Sequence, residues 1–264
     1  MELIVFLSGL AFGSFANVLI DRGDDVSVLY DRSRCDFCKR HLSWYELIPV
    51  FSFLFLRGQC RTCRKKLSLQ YPLVELCMGL SFVGVYSLFP LTSYISLVSY
   101  LILTFSFVVI FIADLKYFII PDSMIILSLL SGFFLFLSSQ LLTRSAHPNL
   151  GLGEQILEYG IPYFGTGLVA GSFFLLLWIF TKGKGMGFGD VKLAFVMGLL
   201  LKAPKTIVAL YVAFLTGALY GVILILGKKK SLKSAVAFGP FLILGFLVSV
   251  LFGEQIIQLW QTFV

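Results

Sequence analysis

Two carboxylates and four thiols carry most of the chemistry this sequence can offer. Asp114 closes a long apolar run in Phe111-Ile-Ala-Asp114-Leu-Lys-Tyr-Phe-Ile-Ile-Pro121-Asp122, and Asp190 opens another after Gly185-Met-Gly187-Phe-Gly189. An acidic side chain in or near hydrocarbon costs about 2.5 to 3.5 kcal/mol on insertion scales, so carboxylates flanked by such runs invite a functional reading. Two carboxylates within hydrogen-bond reach do not both ionise easily and tend to hold one proton between them. The ionised partner can take a proton from water as it attacks a peptide carbonyl, while the protonated partner donates to the carbonyl oxygen. No Ser-His or Cys-His arrangement competes, because His41 and His147 both fall outside the apolar runs. Gly185, Gly187 and Gly189 remove side chains where an extended substrate would approach Asp190, and they permit unusual backbone angles at a helix start. For Asp190 alone the plainer alternative is a capping aspartate beside a flexible turn. A phosphate cradle is disfavoured, since no Gly-Lys-Ser/Thr follows.

Cys35-Asp36-Phe37-Cys38 and Cys60-Arg61-Thr62-Cys63 form two Cys-x2-Cys knuckles with 21 residues between them. That spacing suits a four-cysteine zinc site, in which each knuckle turns two sulfurs toward one ion. Arg34, Lys39, Arg40, Arg61, Arg64 and Lys65 flank the thiols and favour the thiolate forms. An insert this small has little core of its own, and a structural ion supplies the missing staple. Disulfides are the alternative, disfavoured on a reducing cytoplasmic side. His41 reads as a surface histidine and Cys77 as a small buried apolar residue.

The elements that must position these groups are membrane helices. The 264 residues are 58% hydrophobic and only 13% charged, too few polar side chains to cover a water-soluble globule of this size. Eight apolar runs approach the length of a bilayer crossing: Leu3 to Ile20, Leu73 to Phe89, Tyr94 to Ala113, Ser123 to Leu142, Ile161 to Phe180, Val191 to Leu201, Ile207 to Leu226 and Ala235 to Phe252. The sixth is short. None alternates as a barrel strand would, so the fold class is an all-α polytopic membrane protein of about eight transmembrane helices with a small zinc-binding cytoplasmic insert. Met1 and Glu2 supply no basic leader region, so no cleaved signal peptide is expected. If the insert is cytoplasmic, 18 of the 21 basic residues fall on that side, and only Arg144, Lys202 and Lys205 fall on the other. Both carboxylates then lie at the cytoplasmic boundary. The net charge of +7, including Lys228 to Lys230, reads as topology and contact with anionic lipid rather than nucleic-acid binding. The boundaries are a first transmembrane helix over 1–20, the four-cysteine insert over 21–71 and a membrane domain over 72–264. Within the insert, Leu47 to Leu56 lies at the membrane interface or under the zinc lobe, and Thr143 to Tyr159 is an exposed outer loop. The Gly9/Gly13 and Gly167/Gly171 pairs read as helix-packing contacts within the chain.

Taken in order, Gly13-Ser-Phe-Ala-Asn17-Val18 with Arg22, the paired knuckles, Tyr71-Pro72-Leu-Val-Glu75, Asp114 with Pro121-Asp122, and Gly187-Phe-Gly189-Asp190-Val-Lys192 resemble the type 4 prepilin peptidase family over nearly the whole chain. The resemblance implies that Asp114 and Asp190 are the catalytic pair, a choice the residues alone leave open between Asp114 and Asp122. It places Gly187, Gly189 and Asp122 in the supporting motif, Gly58 at a position associated with methylation, and Cys35, Cys38, Cys60 and Cys63 on the metal. It further implies an aspartic endopeptidase of the bacterial inner membrane, with 72–264 as its peptidase domain. Such an enzyme removes the leader of prepilins or pseudopilins at the cytoplasmic face and works beside pilus or type II secretion machinery. Structural Zn2+ and the methyl donor S-adenosylmethionine for N-methylation of the new terminus are its expected cofactors. Asp24, Asp25, Asp31 and Asp36 are candidate contacts for a basic leader. Asp36 departs from the proline common at that knuckle position. A non-catalytic zinc-bearing scaffold and a proton-coupled transporter are the alternatives.

Overall fold

The computed structural model describes residues 1–23, 32–35, 37–89, 93–146, 161–227 and 236–263. A long apolar segment in hydrocarbon satisfies its own backbone groups by forming a helix, and helices account for most of the described residues. In order they are α1 (Glu2–Arg22), α2 (Phe51–Phe55), α3 (Gln70–Leu88), α4 (Tyr94–Tyr117), α5 (Asp122–Ala146), α6 (Ile161–Thr181), α7 (Phe188–Leu200), α8 (Ala203–Leu226) and α9 (Gly239–Phe263). A 3₁₀ turn over Trp44–Leu47 precedes α2. Proline stands in the first turn of α3, α6, α8 and α9 as Pro72, Pro162, Pro204 and Pro240, where a missing N–H costs no intrahelical bond. The chain forms two compact units, Met1–Val109 and Ile110–Val264.

In the first unit α1 packs on α3 through glycine. A Cβ on Gly9 would lie 2.7 Å from the Gly79 Cα, and one on Gly13 would lie 2.6 Å from the Glu75 Cα. The expected small-residue contact within the chain is therefore present, and it brings the backbones close enough to bury Val74, Met78 and Phe82. Cys77 lies on the opposite face of α3 and is exposed. The expectation that it is buried fails, because the helical repeat turns it away from the stripe that meets α1. The 3₁₀ turn and α2 present Trp44, Leu54 and Phe55 outward, at 78%, 66% and 84% exposure.

In the second unit the long helices surround α7. Seven helices in the chain's described residues are long and apolar enough to cross a membrane, one fewer than the eight apolar runs. The short run is α7, whose 13 residues reach only about 20 Å against a hydrocarbon core of about 30 Å. It lies antiparallel to α6, with the Phe188 ring against Trp178 at one end and Lys202, just past its other end, over the Tyr163 ring. Leu193, Ala194 and Met197 on it are fully buried. Thus α7 joins the two ends of α6 while neighbouring helices cover it. Glycine again sets the approach, since a Cβ on Gly198 would lie 2.7 Å from the Gly167 Cα, and one on Gly171 would lie 3.1 Å from Phe195.

The expected outer loop from Thr143 begins later, because α5 continues to Ala146. The rest of that loop, the basic run Lys228 to Lys230, and Asp24, Asp25, Asp31 and Asp36 lie outside the described residues.

Candidate active site and metal centre

The carboxylate cluster is built from helix ends. Asp114 lies three residues before the end of α4, where Phe118 takes a left-handed conformation (φ 57°) and donates its N–H to the Asp114 carbonyl. The turn continues through Ile119, Ile120 and Pro121 into α5. The Asp114 side chain is 5% exposed, and its Oδ2 accepts the Gly239 N–H at 2.9 Å. Gly239 is the first residue of α9, so the carboxylate occupies the positive end of that helix. A Cβ on Gly239 would lie 2.7 Å from the same oxygen, and only glycine leaves Asp114 its place.

Asp190 is the third residue of α7 and is likewise 5% exposed. Its Oδ2 accepts the Gly187 N–H at 3.1 Å, so it does cap its own helix. Capping alone would leave it at the surface. Instead it is buried, and its chain neighbour Gly189 packs on Ile120, a side chain that also borders the Gly239 support of Asp114. No direct hydrogen bond joins the two carboxylates among the described residues; each holds a backbone amide. Ile120 wedges between their supports: its side chain would meet a Cβ on Gly239 at 3.3 Å and one on Gly189 at 2.8 Å.

This revises the role expected of the glycines before Asp190. Gly187 has an ordinary extended backbone (φ −74°), and the left-handed residues of the loop are Lys182 and Gly183. Gly189 is required by packing against Ile120, and the conformational freedom lies six residues earlier. Asp122 stands apart from the buried pair. Its side chain is 62% exposed and its Oδ1 meets Lys192 Nζ at 2.6 Å, tying the start of α5 to the start of α7. Sequence reasoning missed Gly239 and Ile120. Gly239-Pro240 does signal a helix start, but nothing in the sequence assigns that start to Asp114.

The second cluster is Cys35, Cys38, Cys60 and Cys63, whose sulfurs all lie within 4.8 Å of one another. Cys35 and Cys63 are 3.9 Å apart and Cys38 and Cys60 are 4.0 Å apart. A tetrahedron with metal–sulfur bonds of about 2.3 Å has edges of about 3.8 Å, so the four sulfurs fit one ion. The two knuckles are near copies. In each, the first cysteine's carbonyl accepts the N–H of the residue four on, Lys39 or Arg64, and that residue is left-handed. Bridges Arg34 to His41 and Gln59 to Lys66 close the loops. The amides of Cys63 and Thr62 hold the Cys60 thiol down at about 6, whereas burial pushes Cys35 up to about 11. A cation at the centre would offset that burial. His41 is exposed, as expected of a non-ligand.

Behind the knuckles the Glu46 carboxylate takes two bonds from Arg40, at 2.6 and 2.9 Å, and the Ser43 N–H at 2.8 Å. Although burial alone would raise it, that amide and the guanidinium hold its carboxyl below the usual range. Gly58 is left-handed (φ 67°), and a Cβ there would lie 2.9 Å from the Phe53 ring.

Two family descriptions match the chain: Bacterial Peptidase A24 N-terminal domain over residues 7–89 and Type IV leader peptidase family over residues 100–222. A protein of Bacillus subtilis named prepilin leader peptidase/N-methyltransferase is 31% identical across 97% of this chain and 96% of its own length. Proteins with the same name from Aeromonas hydrophila (30% identical over 98% of this chain and 93% of its own) and Myxococcus xanthus (33% over 86% and 64%) are also similar. No solved structure matches. With its apolar helices and near-full-length relatives, this multi-pass membrane chain belongs to the type IV leader peptidase family.

Proposed function

We propose that this chain is an aspartic endopeptidase that removes the leader from type IV prepilins or pseudopilins, with Asp114 and Asp190 as the catalytic pair. The observation that supports it is the meeting of two buried carboxylates from different helices around Ile120. With one proton between them, the ionised partner draws a proton from water as its oxygen attacks the scissile carbonyl carbon. The protonated partner gives its proton to the carbonyl oxygen. Collapse of the tetrahedral adduct then breaks the C–N bond, and the amine leaves with a proton returned from the pair. The Gly239 and Gly187 amides keep one oxygen of each carboxylate occupied, so the other oxygen of each faces the reaction. Pilin precursors carry an apolar helix that stays in the bilayer and a basic leader. The reading therefore puts the cut at the cytoplasmic face of the bacterial inner membrane, where the basic residues of the sequence concentrate.

The relatives' names extend the reading to N-methylation of the new terminus. S-adenosylmethionine supplies an electrophilic methyl group when bound. The four cysteines hold one Zn2+ as a structural staple of the insert.

The test is incubation of the purified full chain, in detergent or lipid, with a leader-bearing substrate, and measurement of product masses. Asp114→Asn and Asp190→Asn should each abolish cleavage while the melting temperature and zinc content persist. Full cleavage by both variants would refute the assignment. A mass increase of one methyl on the cleaved product tests the second activity.

A further inference from the structure

The proposed proteolysis leaves one cavity of the first unit unused. It measures about 250 Å³, lies among α1, the start of α3 and the insert, and has Cys35 and Cys60 in its wall. Its lining is mixed. Asn17 and Glu75, at 3% and 7% exposure, contribute buried polar residues, Phe53 and Leu56 contribute apolar surface, Arg22, Arg34 and Arg61 are its basic residues, and Asp21 and Glu46 are its other acidic ones.

Glu75 is the residue whose surroundings ask for a ligand. It stands near the start of α3, a helix apolar enough to cross a membrane, yet its hydrogen-bond donors are neutral: the Val50 N–H, 2.7 Å from Oε2, and the Ser14 hydroxyl. Among the described residues no lysine or arginine pairs with it, in contrast to Glu46, which Arg40 neutralises. An ionised carboxylate buried without a countercharge costs several kcal/mol, and a cation in the adjoining cavity recovers that cost. The apolar wall is held in register by Gly58, where any Cβ would drive the Phe53 ring away.

The geometry points to this cavity as the binding site of the methyl donor, a sulfonium-bearing nucleoside whose positive charge lies against Glu75. The inference rests on the methyltransferase half of the proposed function. The rest of the lining matches such a molecule: basic residues suit its amino-acid carboxylate, and the apolar wall of Phe53 and Leu56 suits a flat base. A lipid phosphate would meet the Glu75 charge unfavourably, and an acyl chain would leave that charge without a counterion.

The experiment titrates the full chain in detergent with S-adenosylmethionine and, separately, with S-adenosylhomocysteine, the thioether that lacks the sulfonium charge. The donor should bind. Glu75→Gln should weaken it at least about tenfold and change the affinity for the thioether less than about threefold, since only a charge interaction is removed. Zinc content and melting temperature report whether the variant folds. Equal donor affinity in the parent and a folded Glu75→Gln overturns the site, and so does displacement of the donor by an equal concentration of choline. Independently of any variant, ultraviolet cross-linking of the donor to the parent should label peptides within 14–22, 33–35 or 42–75, and labelling confined to 110–264 overturns the site. Methyl transfer accompanied by labelling elsewhere would remove this site and leave the methyltransferase reading standing. A parent that neither binds the donor nor transfers a methyl group would remove both.

Discussion

Gly239→Ala isolates the support of one carboxylate without touching either. The added Cβ would lie 2.7 Å from Asp114 Oδ2, and ordinary contact begins near 3.4 Å, so the oxygen must retreat by about 0.7 Å. The obstructing atom is the far end of a flexible side chain, so the chain should still fold. Alanine even has the better helix propensity, by up to about 1 kcal/mol. The carboxylate, however, loses its aligned bond to the Gly239 amide, and hydrogen bonds to charged groups contribute about 1.5 to 3 kcal/mol. Misplacing a catalytic group by 1 Å costs on the order of a hundredfold in rate. A shift somewhat smaller than this should lower kcat between about tenfold and a hundredfold, or roughly 1.4 to 2.7 kcal/mol in barrier. KM should stay within about threefold, because no binding surface has changed. The assay is leader cleavage by mass spectrometry over a range of substrate concentrations, with melting temperature measured alongside. Gly221→Ala, where a Cβ meets nothing within 4 Å, is the control and should retain the parent rate. A Gly239→Ala protein that folds and cleaves at the parent rate would refute the link between this amide and the placement of Asp114.

The wedge residue gives a second prediction: Gly189→Ala should slow cleavage, since its Cβ would lie 2.8 Å from the Ile120 Cβ, and Ile120→Ala in the same chain should restore part of the loss. Additive losses in this double-mutant cycle would contradict the packing account. Elemental analysis of protein kept reduced should find about one zinc per chain, lost on Cys35→Ser or Cys60→Ser; metal-free parent protein would exclude a metal centre. Gly198→Leu should separate α6 from α7 and cost about 1 to 3 kcal/mol of stability, visible as a lower melting temperature. Lys192→Ala removes an exposed ion pair with Asp122 and should cost less than about 1 kcal/mol; a loss of several kcal/mol would assign that pair a buried role it does not have here.

How much of this was legible in the sequence depends on the range of the interaction involved. Apolar length predicted every long helix, because a helix in hydrocarbon is a local solution that needs no partner. The same criterion overcounted at α7, where 13 residues suffice because neighbouring helices bury Leu193 and Met197 and no lipid need be reached. The four cysteines were readable because their spacing is itself the ligand geometry. The face of α3 that carries Cys77 was not readable, since only the contact of Gly9 and Gly13 with that helix decides which side is inward. Gly239 and Ile120 were invisible for a related reason. They act on Asp114 and Asp190 across 125 and 70 positions of chain, and one sequence records no such pairing.

The placement of both carboxylates at helix ends bears on which chemistry they can support. A proton relay in a transporter needs groups that exchange protons at depth along a path through the bilayer. Asp114 and Asp190 instead stand where α4 ends and α7 begins, with the start of α9 supplying the third element. Helix starts expose N–H groups that have no intrahelical acceptor, and these are the donors found on each Oδ2. Fixed donors on one oxygen of each carboxylate restrict rotation and leave the remaining oxygens to handle a single water. That suits hydrolysis, in which the same water must be deprotonated and aimed, and it hinders a relay, in which each group must turn to pass its proton onward. On the proposed function, the pair combines burial at helix ends, 5% exposure for each residue, with one oxygen per carboxylate left free of a backbone amide.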